Sequence, residues 1–288
     1  MKKIIKITEL AFLFILIFYV VHVKAQDRQY TLDYQSYGFI LEKYVTSEGL
    51  IDYAAVSGNR SKLDEFLKTI SEVTQEQYVS WNKYDKIAFW INSYNAITLK
   101  TVIENYPINT KKNMEKQYPL DSMKQIPGAW KKTKHRILGK MLTLDRIKKD
   151  ILRANFNEPR IHMALVSAAM SCPYLRRGPY IGDKLDMQLD DQAKIFFFDK
   201  QNFRIDKNNS VIYLSSIFKW YGADFLRESQ LPVDSGLSKA ERSIMSFVRK
   251  YLSDHEKEYI SGAGYELRYL EFDWMLNDLK NKEYRAGK

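Results

Sequence analysis

Residues 84–106 constrain the fold more than any other part of the chain. Apolar side chains recur there at three- and four-residue steps until Pro107, which predicts a long α-helix that ends near the proline. The apolar residues cover much of the circumference, so we expect this helix at the centre of the core. Asn92 and Asn95 lie in the middle of the apolar field, and buried amides need hydrogen-bond partners. The segment therefore predicts a central helix with two polar contacts inside the core.

Residues 160–173 form the second informative segment. It contains Cys172, the single cysteine of the chain, and His162, one of four histidines. Residues 161–167 are almost continuously apolar, which predicts a strand covered on both faces. Small residues and then Ser171, Cys172 and Pro173 follow, and there we expect a turn. A rigid element that ends in a turn is a common position for functional side chains.

Elsewhere the pattern intermixes helices with short strands. No internal repeat, low-complexity tract or linker interrupts it, and no regular βαβ rhythm is present. The sequence therefore predicts an α+β fold: a single helix-rich domain around a small, mostly buried β-sheet with hairpins. Helical spacing is found at residues 34–45, 62–73, 183–198 and 239–252, and hairpins are predicted at residues 135–142 and 203–214.

The N-terminal residues have the features of an export signal. A basic start precedes an apolar run from Leu10 to Val23, and Val23 and Ala25 supply a small-x-small pattern. These features predict a signal peptide over residues 1–25, cleaved after Ala25. The competing interpretation is an uncleaved membrane anchor, which needs about 20 apolar residues. Residues 26–288 are then expected to form one globular domain, exported to the periplasm or secreted, without a stable membrane span.

Charge and residue types argue against several partners. Removal of residues 1–25 takes away four lysines and one glutamate and lowers the net charge from +10 to +7. The basic residues are spread along the chain, whereas nucleic-acid-binding proteins usually cluster them, so no nucleic-acid partner is expected. One cysteine cannot form an internal disulfide. The remaining histidines lack zinc-ligand spacing and no phosphate-binding glycine loop is present, so neither a metal nor a cofactor is expected.

Cys172 is the candidate nucleophile and His162 its candidate base. Backbone N–H groups at a turn that opens a helix lower the pKa of a thiol and stabilise an oxyanion. The alternative is that Cys172 is a buried small apolar side chain and His162 a hydrogen-bonded core histidine. Asn92 and Asn95 are three residues apart on one helix, and they are candidates for orienting the histidine or donating to an oxyanion. Their alternative is a structural contact to the main chain.

Side chains around these four residues are candidates for binding. Arginines that flank the central segment are able to hold a carboxylate or another anion, and the alternative for each is a solvated surface charge. Aromatic residues of the long helix, together with Trp220 and Tyr221, are expected to line a pocket. The candidate binding residues are Trp90, Tyr94, Arg160, Ser171 and Arg176.

Several blocks of the chain resemble one family. Residues 89–98 (FWINSYNAIT) resemble the FWINxYNAxT signature of the family catalogued as domain of unknown function 547, and residues 160–166 followed by residues 171–173 resemble its RIHFAL…CP segment. Further blocks follow in the family's order, so the resemblance covers about residues 37–279. The family has no established activity, and the resemblance fits either an exported enzyme or a binding module. Many members carry a second cysteine where this chain has Ser167, which argues against a mechanism that needs paired thiols.

Two hypotheses follow from these residues. The first is an exported cysteine-dependent hydrolase or acyl transferase, in which Cys172 and His162 act on a small-molecule or peptide-like envelope substrate. The second is a non-catalytic envelope binding module with an aromatic and amide-lined pocket. The reactivity of the Cys172 thiol distinguishes them, because an inert, buried thiol favours binding over catalysis. The sequence indicates no oligomeric state.

Overall fold

The computed structural model describes residues 32–108, 116–226, 236–262 and 264–286. The predicted signal peptide lies outside the described residues. Within them the chain is rich in helix and contains one two-stranded and one three-stranded sheet. The predicted helix-rich α+β fold is therefore confirmed. No helix in these ranges combines the length and apolar character that crossing a bilayer requires.

One long helix organises the N-terminal half, as predicted. Helix α5 (Lys83–Ile103) begins at Asn82, whose side chain accepts hydrogen bonds from two main-chain N–H groups of the first turn. Every residue from Ile87 to Ile103 except Lys100 is buried. Among the described residues, four shorter helices precede it: α1 (Gln35–Tyr44), α2 (Tyr53–Gly58), α3 (Ser61–Glu72) and α4 (Gln75–Ser80).

A hairpin and an unusual helix follow α5. Strands β1 (His135–Ile137) and β2 (Lys140–Leu142) pair antiparallel around Gly139, which has a φ of 66° that favours glycine. Thr143 caps α6 (Leu144–Arg146), and the chain continues without a break into a π-helix, Ile147–Arg153. π-Helical turns are rare in proteins, and those that occur are frequently found at functional sites. Here the π-helix supplies two of the basic side chains described below.

The predicted strand over residues 161–167 is wrong. Pro159–Met163 forms a 3-10 helix, and the chain is irregular from there to Ile181. Side-chain amides replace the sheet partners: Asn95 donates to the Ala164 carbonyl oxygen and accepts from the Val166 N–H, both at 2.9 Å. The prediction failed because a run of apolar residues indicates burial on all sides, whatever the backbone conformation.

The C-terminal half contains the larger sheet. Strands β3 (Phe203–Asp206) and β4 (Val211–Ser215) form the predicted antiparallel hairpin, and β5 (Glu266–Leu270) adds to β4 in parallel. The helices of this half are α7 (Leu185–Phe198), α8 (Ser216–Tyr221), α9 (Lys239–Arg249), α10 (Asp254–Ser261) and α11 (Lys282–Ala286). A 3-10 turn, Gly222–Phe225, directly follows α8.

Buried apolar side chains form two cores that meet beside the irregular segment. The first surrounds α5 and includes Leu165 and Cys172. The second lies between α7, the larger sheet and α9, and it includes Met163 and Ile217. Phe272 packs against both cores. Residues 161–172 thus lie at the junction of the two halves, where clefts commonly form.

Candidate active site

A cavity of about 390 Å³ opens at this junction. Its lining includes Cys172, His162 and Ser167, together with the aromatic residues Trp220 and Tyr221. Its volume is in the range of sites for small molecules or short peptide segments. The cavity therefore brings together the candidate nucleophile, the candidate base and two of the aromatic residues expected from the sequence.

Cys172 lies in a loop that folds back on itself. The Ser167 N–H donates to Sγ at 3.2 Å, and the Cys172 N–H donates to the Ala169 carbonyl oxygen at 3.0 Å. Ala168, between them, has a φ of 55°, which is uncommon for a residue other than glycine. Burial raises the pKa of the Cys172 thiol, and the bond from Ser167 and the charge of Lys148 only partly oppose it. The expected lowering of the thiol pKa is therefore wrong, and the resting side chain is a neutral thiol.

The loop that carries Cys172 is fixed to the C-terminal segment. The N–H groups of Met170 and Ser171 donate to the carbonyl oxygens of Met275 and Asp273, at 2.8 and 3.2 Å. The Ser171 hydroxyl in turn accepts from the Asp273 N–H at 2.9 Å. Ser171, predicted as a binding residue, thus anchors the loop and does not line the cavity. This anchoring holds the thiol in place relative to the rest of the site.

His162 is oriented by a carboxylate. Its Nε2 lies 2.7 Å from Oδ2 of Asp224, and its ring stacks on Tyr221 with 4.4 Å between centroids. Burial lowers the pKa of His162 to about 4, although the bond to Asp224 opposes this shift. The imidazole is therefore neutral at neutral pH. Because Nε2 must donate to the carboxylate, Nδ1 carries the lone pair, and Nδ1 is buried without a hydrogen-bond partner in the described part of the chain.

Asp224 is a site residue that sequence reasoning missed. Arg153 of the π-helix donates from Nε to Oδ2 at 2.6 Å and from Nη2 to Oδ1 at 2.8 Å. Burial opposes ionisation of Asp224, but the hydrogen bonds from Arg153 and His162 outweigh burial and hold the pKa of this carboxyl below its usual range. No local motif marks Asp224, which is 62 residues from His162 along the chain. The one available signal was its position just after the aromatic block at residues 218–221.

Cys172 and His162 line the same cavity without a hydrogen bond between them. Nε2 of His162 is hydrogen-bonded to Asp224, and no atom of the described residues, including the Cys172 sulfur, is a hydrogen-bond partner of Nδ1. Catalytic hydrogen bonds are often longer before substrate binds than in the complex. Cys172 and His162 thus line one cavity, and proton transfer between them requires a shorter distance from Sγ to Nδ1.

The two asparagines of α5 form hydrogen bonds with main-chain groups and do not line the cavity. Asn92 donates to the Tyr180 carbonyl oxygen at 2.7 Å and accepts from the Tyr180 N–H at 3.0 Å. Asn95 bridges Ala164 and Val166 in the same manner. Neither lines the cavity of Cys172. Their contacts correspond to the structural alternative, and those of Asn95 position the segment that leads to Ser167.

The remaining predicted binding residues also lie outside the cavity lining. Trp90 is buried and donates from Nε1 to the Tyr78 hydroxyl at 2.9 Å. The Tyr94 hydroxyl lies 3.2 Å from the Ser167 hydroxyl, so Tyr94 contacts the loop that carries Cys172 without lining the cavity. Arg160 makes ion pairs with three carboxylates, those of Glu158, Asp186 and Asp190, and Arg176 stands near Tyr180. These carboxylates neutralise the charge of Arg160, so its guanidinium group is not available to bind an anionic ligand.

Two lysines and further aromatic residues complete the lining, and sequence reasoning did not single out the lysines. Lys148 comes from the π-helix, and its Nζ lies 4.2 Å from the centroid of the Tyr221 ring. Lys124 lies over Trp274 at 4.0 Å. Within the described ranges no group of three or more histidine, cysteine or acidic side chains is placed to hold a metal ion. The arrangement offers a thiol, a neutral base with a carboxylate partner, and two cations.

Comparison with known proteins gives a match to one family and no activity. Residues 78–197 match the family described as "Protein of unknown function, DUF547". The match includes His162, Cys172 and Tyr118 but ends before Asp224 and the other aromatic residues of the cavity. No curated protein and no solved structure matches the chain.

Proposed function

For a chain that carries a DUF547 domain, whose family has no established activity, we propose a thiol-dependent hydrolase or acyl transferase. Cys172 is the nucleophile, His162 the base and Asp224 the residue that orients His162. One observation carries the proposal: His162 binds Asp224 through Nε2, keeps a buried Nδ1 without a hydrogen-bond partner among the described residues, and lines the cavity that Cys172 also lines. A nucleophile, a base and a group that orients the base are the recurring parts of covalent acyl transfer.

The protonation states favour general-base activation of a neutral thiol. When an acyl substrate occupies the cavity, the proton passes from Sγ to Nδ1 of His162 as the sulfur–carbon bond forms. The imidazolium then gives this proton to the departing amine or alcohol, and a thioester on Cys172 is left. Water, or an acceptor alcohol or amine, attacks the thioester while Nδ1 takes its proton. The thiol leaves, and the imidazolium returns the proton to it.

Two charged groups support this sequence of steps. Asp224 stays ionised beside Arg153, so it stabilises the imidazolium that forms in each half of the reaction. We assign Lys148 to the oxyanion of the tetrahedral intermediate, because its charge acts on both the thiol and the imidazole. The first proton transfer requires Sγ to come within hydrogen-bond distance of Nδ1, which has no hydrogen-bond partner among the described residues. Export to the cell envelope belongs to the same proposal and rests on residues 1–25 alone.

Acylation of the single cysteine tests the proposal without knowledge of the natural substrate. We expect p-nitrophenyl acetate to place one acetyl group on Cys172 of the folded protein, read by the mass of the intact chain. The Cys172→Ala variant should carry none, and His162→Ala should acylate at least about 10²-fold more slowly. Equal rates in the wild type and His162→Ala, or unchanged ester turnover in Cys172→Ala, would rule the proposal out.

A binding module without turnover is the second candidate function. The raised pKa of Cys172 and the continuous aromatic wall favour it: Trp220 lies 5.9 Å from Trp274, and Phe272 lies 4.6 Å from Trp274, between ring centroids. Such a wall buries a ligand well without any covalent step. A protein that binds ligands in the cavity but is never acylated on Cys172 belongs to this second class.

A further inference from the structure

Lys124 and Lys148 enter the cavity without acidic partners. Both side chains are half-buried, and no carboxylate of the described residues lies within ion-pair distance of either ammonium group. None of the described residues that line the cavity is acidic. Arg160 is the contrast, because three carboxylates neutralise it elsewhere on the surface. The described lining of the cavity therefore carries two lysines and no acidic residue.

Aromatic rings hold Lys124 in place. Its Nζ lies 4.0 Å from the centroid of the Trp274 ring, 4.9 Å from that of Tyr118 and 5.4 Å from that of Trp130. Contacts of this kind stabilise an ammonium group and restrict its position, but they leave its charge unneutralised. Trp274 and Tyr118 themselves line the cavity. Lys124 is thus a positioned cation on the aromatic wall, and its natural partner is an anion.

The two lysines have different positions relative to the chemistry. Lys148 contacts Tyr221, the ring that stacks on His162, and it has already been assigned to the reacting centre. Lys124 lies over the rings of Trp274 and Tyr118. Among the described residues, neither of these rings contacts the ring of His162. A ligand that fills the cavity therefore meets one cation at the thiol and another against the rings.

We propose that the cavity selects organic anions, namely acyl or peptide-like compounds that carry a carboxylate and an apolar or aromatic group, and that Lys124 binds the carboxylate. The apolar group packs on Trp220, Phe272 and Trp274, while the carboxylate meets the ammonium group that these rings position. As a statement about substrates, this inference rests on the proposed function. As a statement about binding, it is tested separately.

The test measures equilibrium binding in a protein that cannot react. The Cys172→Ala variant of the full chain is titrated with N-acetyl-L-phenylalanine and, in parallel, with the neutral N-acetyl-L-phenylalanine amide. Quenching of tryptophan fluorescence reports binding, because Trp220 and Trp274 line the cavity. We expect the acid to bind at least about tenfold more tightly than the amide at low salt, and this preference should shrink as salt is added.

A matched pair of lysine variants assigns the effect to Lys124. Lys124→Met keeps the apolar stem and removes the charge, so it should reduce the affinity for the acid to that for the amide and leave the amide unchanged. Lys86 also lies over an aromatic ring, 5.5 Å from the centroid of Tyr78, but outside this cavity. Lys86→Met should therefore keep the full preference for the acid.

The outcomes separate this inference from the proposed function. Equal affinities for acid and amide, no binding of either, or a preference that survives in Lys124→Met would each overturn the anion site. If the acid binds as expected while the wild type is never acylated on Cys172, the anion site stands and the hydrolase fails. If Cys172 is acylated but the acid is not preferred, the hydrolase stands and its substrate class is different.

Discussion

At the scale of single residues, the site depends on how burial acts on Cys172 and His162. Burial raises the pKa of the thiol and lowers that of the imidazole to about 4, so both groups rest in their neutral forms. A preformed thiolate–imidazolium pair is thus disfavoured before a ligand enters. The pair is suited to transfer a proton only as the acyl bond forms.

Sequence reasoning found these two residues because their types are rare in the chain. It missed Asp224, which is one of many acidic residues and becomes special only through its bonds to Arg153 and His162. It also missed Lys124, because what distinguishes this lysine is a tertiary contact with Trp274. Residue type alone indicates a candidate nucleophile, whereas the residues that orient it are identified only by their tertiary contacts.

Histidine burial predicts a loss of stability in mild acid. His162 and His135 each have a pKa of about 4 in the folded protein, against 6.5 without the fold. Between these values the unfolded chain binds more protons than the folded one, so stability is complete above pH 6.5 and falls as the pH drops towards 4. Each histidine contributes up to about 3 kcal/mol to this loss. Urea unfolding at a series of pH values measures it.

Two glutamine variants test the assignment of this pH dependence. His162→Gln keeps a donor for Asp224 but does not titrate, so the fall in unfolding free energy between pH 6.5 and 4.5 should shrink by about half, since the two histidines share it. The exposed His255 provides the control, and His255→Gln should leave the slope unchanged. A slope that is the same in His162→Gln and the wild type would contradict the account.

At the scale of elements, α5 acts as the support of the site. Its periodicity predicted a central helix, and the need of Asn92 and Asn95 for partners was also confirmed. The partners themselves were not predictable, because Asn95 binds main chain that sequence reasoning had placed in a strand. Asn95 satisfies the Ala164 and Val166 main-chain groups and thereby permits an irregular backbone in the core.

Removal of the Asn95 side chain should cost stability at this junction. Asn95→Ala leaves a buried carbonyl oxygen and a buried N–H without partners, so we expect the unfolding free energy to fall by about 2–4 kcal/mol. Hydrogen exchange at Val166 should become faster than in the wild type. Asn59, an exposed residue whose amide donates to the Ala55 carbonyl oxygen, is the control, and Asn59→Ala should change stability by less than about 0.5 kcal/mol. Similar losses in both variants would show that Asn95 is not a support.

At the scale of the whole molecule, the site belongs to neither half alone. Cys172 packs with the core around α5, whereas Asp224 follows α8 and Phe272 follows β5. The periodicity of single segments predicted the helix-rich α+β class and both hairpins. It did not predict the parallel pairing of β5 with β4 or the division into two cores, because both depend on contacts between distant parts of the chain. Export through residues 1–25 stays a prediction.

Alkylation of Cys172 tests whether Cys172 and His162 act together, because the chain has one cysteine and each modified molecule carries one adduct. With iodoacetamide at pH 7, the folded wild type should react, and His162→Ala and Asp224→Ala should each react at least about tenfold more slowly. Asp186→Ala, which removes an arginine-paired carboxylate outside the cavity, should react like the wild type. A thiol that reacts only after unfolding, or equally fast in His162→Ala, would show that Cys172 and His162 do not act together.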